Sequence, residues 1–408
     1  MRILRAVRSF PVPVRLLLVN QLGVNTGFYL LIPYLAGHLG HDLGLSALAV
    51  GAVLGLRNLS QQGLFILGGS AADRLGARRV IIAGCALRSV GFGLFALGDS
   101  LGILLAASAL SGLAGALFNP AVRTYVANEA ADRKAEAFAL FNMFATTGAL
   151  AGPLLGTVLL LVDFRAAALT AAGIFAVLTV AQALALPERA VPPPPRGVLA
   201  DWREVASDRR FLAFSLAMVG LFGMESQLYL LLPDAARRAT GWEGAVSLVF
   251  LTSTLANLTL QLRITTRLQR DGPATRWIPL GLAVAATGFL LPLVVPGLPG
   301  VLGGVLLLQT GLMTAQPFVL ALIPAFGRPG LTGTYYGLYY VVSGFAAALG
   351  NTAVGRAMDS AATAPWLLCA ALGLGSAAAL TRLHRAGRLP APARPLPTPA
   401  RPLPSEAR

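Results

Sequence analysis

Charge is scarce in this sequence. Asp, Glu, Lys and Arg together make up 12% of its 408 residues, where a soluble globule usually carries about 25%. Half the usual charge cannot cover a surface that faces water on all sides, so soluble enzymes, fibres and disordered chains are excluded. Cysteine is confined to Cys85 and Cys369, each within an apolar block and far from the other, which leaves no disulfide framework. His38, His41 and His384 lie in connecting segments and form no ligand cluster, so neither a metal nor any other cofactor is expected. The pattern Gly-x-x-x-x-Gly-Lys-[Ser/Thr] is missing, which removes the usual phosphate cradle of nucleotide-driven pumps. A membrane enzyme or receptor would need a catalytic cluster or a sizeable soluble domain, and neither is present.

What is abundant is hydrophobicity. Apolar residues make up 56% of the chain, gathered in blocks of roughly 18–25 residues, the length that crosses a bilayer core as helix. The block after Arg2, Arg5, Arg8 and Arg15 is too long for a cleaved leader and is read as the first span. Twelve spans are expected, near 13–36, 45–70, 79–98, 101–126, 137–161, 166–186, 211–232, 244–265, 277–296, 300–323, 331–354 and 365–382. The fold class is therefore an all-α membrane protein of twelve helices. A net charge of +15 would suit a nucleic-acid partner, but the basic residues are spread over short segments between apolar blocks, so no nucleic-acid partner is expected. They report orientation instead. With both termini cytoplasmic, 25 of the 32 Lys and Arg residues fall inside and only Arg165, Arg237, Arg238 and Arg356 outside. The preference for arginine over lysine, with abundant Ala and Gly, points to a GC-rich bacterial genome and so to the plasma membrane.

The longest polar segment between spans, 187–210, divides the chain into six-span halves, 1–186 and 211–385. It holds Pro192 to Pro195, which should be extended, and then Asp201-Trp202-Arg203-Glu204, which reads as a short surface helix. The Pro/Ala/Arg stretch 386–408 should be a disordered tail. The halves repeat at an offset of 200: Tyr29-Leu30-Leu31-Ile32-Pro33 matches Tyr229-Leu230-Leu231-Leu232-Pro233, and Asn25 falls on Glu225. Internal repeats of this kind mark transporter folds with the site between the halves.

After the second span the chain reads Gly69-Ser70-Ala71-Ala72-Asp73-Arg74-Leu75-Gly76-Ala77-Arg78-Arg79. Gly76 permits a tight turn, and Asp73 at a helix end can pair with an arginine or a helix N-terminus, giving a latch between moving helices. This loop resembles motif A of the major facilitator superfamily, with Ala77 in place of one basic residue. In span 5, Gly148, Gly152, Pro153 and Gly156 resemble motif C, with Thr157 in place of its last glycine. Small residues at that spacing let helices pack closely. The motif B pattern, Arg-x-x-Gln-Gly, aligns only weakly with Ser108 to Gly112, where its arginine is absent. With Val50-Gly51, Gly55-Leu56-Arg57-Asn58, Gln61-Gln62-Gly63, Arg88 and Ser111-Gly112-Leu113 added, the N-terminal half resembles multidrug-resistance members of the twelve-span drug:proton antiporter branch. The resemblance implies two six-helix bundles that export small amphipathic compounds in exchange for protons. Uptake of a sugar or another metabolite by the same fold is the rival reading, against which motif C counts. The expected partners are a small-molecule substrate, protons and the lipid bilayer, with one chain as the working unit.

Ionisable groups within spans are costly and default to functional candidates. Gln21, Asn25 and Tyr29 form a polar stripe in span 1, and Glu225 and Tyr229 the corresponding stripe in span 7. Arg57 and Gln61 share a helical face, Asn58 lies beside them, and Arg88 falls within span 3. Of the 17 acids only Glu225 falls in a span interior. Desolvation disfavours the charged form of a carboxylate, so such a group can exchange a proton at physiological pH. The alternative is a permanent ion pair with Arg57 or Arg88. Span 11 carries Tyr335, Tyr336, Tyr339 and Tyr340; Tyr335 reads as an interfacial anchor, Tyr339 and Tyr340 as aromatic walls of the site.

Overall fold

The computed structural model describes residues 2–189, 197–242, 244–272, 274–328 and 330–390. The polyproline run and most of the tail, expected to be extended and disordered, lie outside the described residues. Long apolar blocks leave backbone amides in lipid no partner but each other, which dictates helix, and no strand occurs among the described residues. A short α1 (Arg2–Arg8) leads to α2 (Val12–Gly37), α3 (Ala47–Gly63), α4 (Phe65–Leu75), α5 (Ala77–Leu97), α6 (Leu101–Glu129), α7 (Lys134–Leu160) and α8 (Phe164–Ala185). The linker contributes α9 (Val198–Ser207). The second half comprises α10 (Arg209–Ala217), α11 (Val219–Ser226), α12 (Leu231–Thr240), α13 (Ala245–Asp271), α14 (Ala274–Gly288), α15 (Leu291–Val294), α16 (Leu298–Leu322), α17 (Thr332–Ser360) and α18 (Ala364–Arg385).

Among the described residues, ten helical segments are long and apolar enough to cross a membrane. Two further rods, α3–α4 and α17, stand where spans 2 and 11 are expected, so the order of rods follows the twelve-span reading. Local chemistry sets several starts. Ser46 and Ser100 accept from the amides of Ala49 and Ile103, 3.3 and 3.5 Å away, at the heads of α3 and α6. Asp208 accepts from Arg210 and Phe211 to open α10. Gly76 turns the chain between α4 and α5 at φ +89°, a conformation only glycine adopts without strain.

Span 7 departs from the continuous helix expected over 211–232. It is a rod in three pieces, α10–α12, interrupted at Met218 and again at residues 227–230, immediately after Glu225. The amide of Gln227 partly replaces the lost helix pairing by donating to the Gly223 carbonyl at 2.8 Å, and it also reaches Asn351 of α17 at 3.1 Å.

Within the first half, α2 packs on α7 and α8, and α5 on α6 and α8. Within the second, α14 packs on α16 and α18, and α11 on α17 and α18. The halves meet chiefly where α4 and α6 face α17, and where α7 faces α13 and α16. Of the polar side chains singled out above, Glu225, Tyr29, Tyr229 and Tyr340 lie on that seam.

Candidate functional site

At the arginine-rich end the halves are latched. Asp73, just beyond the apolar part of its span, accepts from the backbone amides of Gly333 and Thr334 at 2.6 and 2.7 Å and from the Thr334 hydroxyl at 2.8 Å. Of its two expected partners, arginine or helix N-terminus, the structure places it on the N-terminus of α17, where free amides and the helix dipole favour an anion. The approach is possible because glycines face each other: a Cβ on Gly69 would lie 2.0 Å from the Gly333 carbonyl oxygen. Burial raises the Asp73 carboxyl from its ordinary value to about 7, against the three hydrogen bonds that favour the anion. Opening the latch returns the carboxylate to water and offsets the lost bonds, which keeps the contact reversible.

The linker adds a second fastening that the sequence reading missed. The expected surface helix, α9, docks across both halves, and Asp201 is buried at 3% exposure. Arg74 of the first half and Arg328 of the second donate to its two carboxylate oxygens, at 2.5 and 2.9 Å. Arg328 also reaches Glu204 at 3.0 Å, and Trp202 donates to Ser70 at 2.6 Å. Tyr335 belongs to the same fastening: it is buried, and its hydroxyl donates to Asp208 at 2.9 Å rather than anchoring at a lipid interface. Arg78 caps the end of α8 by donating to the Leu186 and Ala183 carbonyls. Asp201→Ala should lower the melting temperature in detergent by several degrees, equivalent to about 2 kcal/mol, since it strips two arginines of their shared acceptor. An unchanged melting curve would contradict the fastening.

Motif C proves to be the seat of α2. Gly148, Gly152 and Gly156 form a stripe on α7 where added Cβ atoms would lie 2.3 Å from the Leu22 carbonyl oxygen, 2.8 Å from that of Thr26 and 2.3 Å from that of Leu30. Asn25 donates to the Ala145 carbonyl at 2.8 Å, and Gln21 donates to Asn25 at 3.1 Å, so two of the span 1 candidates fix this seat. Thr157, in the place of the motif's last glycine, and Tyr34 both donate to the carbonyl of Pro153, at 2.9 and 2.8 Å.

Glu225 lies midway along the broken rod, half-buried, on the seam. It forms no ion pair with Arg57 or Arg88. Its neighbour is Gln316 of α16, whose amide donates to it at 3.4 Å and whose carbonyl accepts from Asn142 of α7 at 3.3 Å. A polar relay thus runs from the first half through Gln316 to the carboxylate; neither amide was singled out from the sequence, since lone polar residues in apolar helices give no spacing signal. One turn further from the latch, Tyr29 and Tyr229, related by the internal repeat, meet across the seam within hydrogen-bonding reach.

Arg57 lies on the first half, donating to Gln61 at 3.3 Å and Asn58 at 2.6 Å. Arg88 is buried beside it. Tyr340 stays on the seam, half-buried, beneath the Arg123 guanidinium at 4.7 Å. Tyr339 does not line the seam: it is 2% exposed and packs inside the second half against Phe222 and Phe214.

Comparison with known proteins places this geometry. The Major Facilitator Superfamily profile matches residues 17–351. An uncharacterized MFS-type transporter of Mycobacterium tuberculosis is 42% identical over 369 residues, covering 87% of this chain and 88% of that protein. The multidrug resistance protein MdtH of Photorhabdus laumondii is 31% identical over 375 residues, covering 90% and 93%. Among solved structures, the Escherichia coli fucose:proton symporter FucP superposes with a TM-score of 0.77 at 14% identity, covering 92% of this chain and 99% of that one; at that identity the likeness concerns the fold.

Proposed function

Since the chain belongs to the major facilitator superfamily and is a multi-pass membrane transporter of small molecules, we propose that it exports small amphipathic compounds from a bacterial cytoplasm in exchange for protons. The arginine-rich end then faces the cytoplasm, with both termini on that side. The observation that carries the proposal is Glu225, a carboxylate in the middle of the seam with no cationic partner among the described residues and a relay to the opposite half. The similarity to a protein named for multidrug resistance supports the outward direction.

Three devices act in one cycle. With the latch open, a compound enters from the cytoplasm and Glu225 gives up its proton to that side. Latching of Asp73 onto α17 and seating of α9 then close the cytoplasmic end, the Tyr29–Tyr229 contact parts, and the compound leaves. A proton from outside neutralises Glu225, which removes the cost of carrying an uncompensated charge through the return step.

Inverted membrane vesicles test this. Acidifying the vesicle interior should drive accumulation of at least one compound from an amphipathic panel, and dissipating the gradient should release it. Accumulation that instead requires an acid exterior would favour proton-coupled uptake, the second reading, which the fold likeness to a fucose:proton symporter accommodates.

The latch has its own test. Asp73→Asn keeps the size but turns one acceptor into a donor facing the amides of Gly333 and Thr334, so transport should fall by about tenfold with insertion intact. Labelling of a cysteine placed at the cytoplasmic seam should rise. Wild-type transport in a well-expressed variant would refute the role of the latch.

A further inference from the structure

The interior of the first half carries charge that no acidic side chain among the described residues pairs with. Arg57 and Arg88 both approach the ring of Phe28, at 5.0 and 5.8 Å from its centroid, and lie close enough to repel one another. Arg57 finds only neutral amide oxygens, on Gln61 and Asn58. Arg88 is 4% exposed, enclosed by the rings of Phe28, Phe118 and Phe175, and its Nε has no hydrogen-bond partner. Among the described residues neither guanidinium forms an ion pair, and neither does Arg123. Three arginines within the spans against the single carboxylate of Glu225 leave a surplus of two positive charges. Cation–π contact recovers only part of the cost of keeping them there.

We propose that Arg57, Arg88 and Phe28 form a subsite for the acidic group of the transported compound, a carboxylate or sulfonate attached to an apolar or aromatic body. Arg57 is the accessible donor: it is half-buried, it lies within electrostatic reach of Tyr29 on the seam, and guanidinium takes such groups through paired hydrogen bonds. Arg88 stands behind it as a fixed charge, and the exposed face of Phe28 receives the organic body. Tyr29 is within reach of Glu225 as well, so a dipolar compound can place its acid on Arg57 and its basic group toward Glu225, where the basic group competes with the proton. This substrate class rests on the transporter reading given above.

The test is binding to the full-length protein in detergent by equilibrium dialysis, with naphthoate and its uncharged isostere naphthamide as probes. Naphthoate should bind at least about tenfold more tightly than naphthamide, and Arg57→Gln should remove that preference while leaving naphthamide binding within about twofold. Equal binding of the two probes to the wild type, or no binding of naphthoate, overturns the proposal, and so does a preference that survives Arg57→Gln. Absence of a preference in the wild type overturns the proposal whether or not the variant folds. Neither membrane nor gradient enters the measurement, so loss of pH-driven transport would count against the exporter reading and leave the subsite standing. Charge-indifferent binding by an active exporter would do the reverse.

Discussion

Glu225→Gln is expected to reduce pH-driven transport to background while the protein still folds and binds neutral compounds. The replacement keeps the contact with Gln316 and the size of the side chain but freezes the group in its uncharged form. No other acid falls in a span interior. Arginine remains protonated at all relevant pH values, and the histidines His38, His41 and His384 lie outside the spans. Compounds with a basic group should bind about tenfold more weakly, since their counter-charge is gone. Measured in inverted vesicles alongside binding in detergent, undiminished pH-dependent transport by Glu225→Gln would remove the carboxylate from the coupling step.

Gly152→Val should be nearly as damaging, for a steric reason. A single Cβ at this position would lie 2.8 Å from both the Thr26 carbonyl oxygen and the Tyr29 Cβ, and 2.9 Å from the Leu30 amide nitrogen. Two of these three neighbours are backbone, so the clash is relieved only by moving α2 away from α7, which breaks the Asn25–Ala145 bond and carries Tyr29 off the seam. Overpacking of this kind costs about 1–3 kcal/mol in stability, and transport should fall by tenfold or more, with or without an added proton leak. Reconstituted Gly152→Val with unchanged efflux and no leak would reduce the glycine stripe to a sequence likeness.

The spans were legible because a bilayer imposes one length and one backbone solution, so hydropathy alone orders the rods. Asp73 and the glycines of motifs A and C could be found because their spacing is local: each group lies within one turn or on one helix face. The rest depends on how helices are rotated against one another, which local spacing does not encode. Tyr339 and Tyr340 are adjacent, yet one packs into the second half and the other meets Arg123 on the seam. Asp201 looked like a solvated helix residue because its partners, Arg74 and Arg328, are each 127 residues away. The break after Glu225 left no proline or glycine at 227–230 to announce it. The repeat was the one long-range signal in the sequence, and the two tyrosines it relates meet at the seam.

Direct observation of proton movement tests exchange against co-transport. Proteoliposomes holding the wild-type protein and a trapped pH-sensitive dye, with the membrane potential clamped, are given an inward gradient of a transported compound and no initial pH difference. Exchange through Glu225 predicts that the lumen turns alkaline as the compound enters and protons leave, and that Glu225→Gln abolishes the signal. A lumen that turns acid, with protons following the compound inward, would contradict the account.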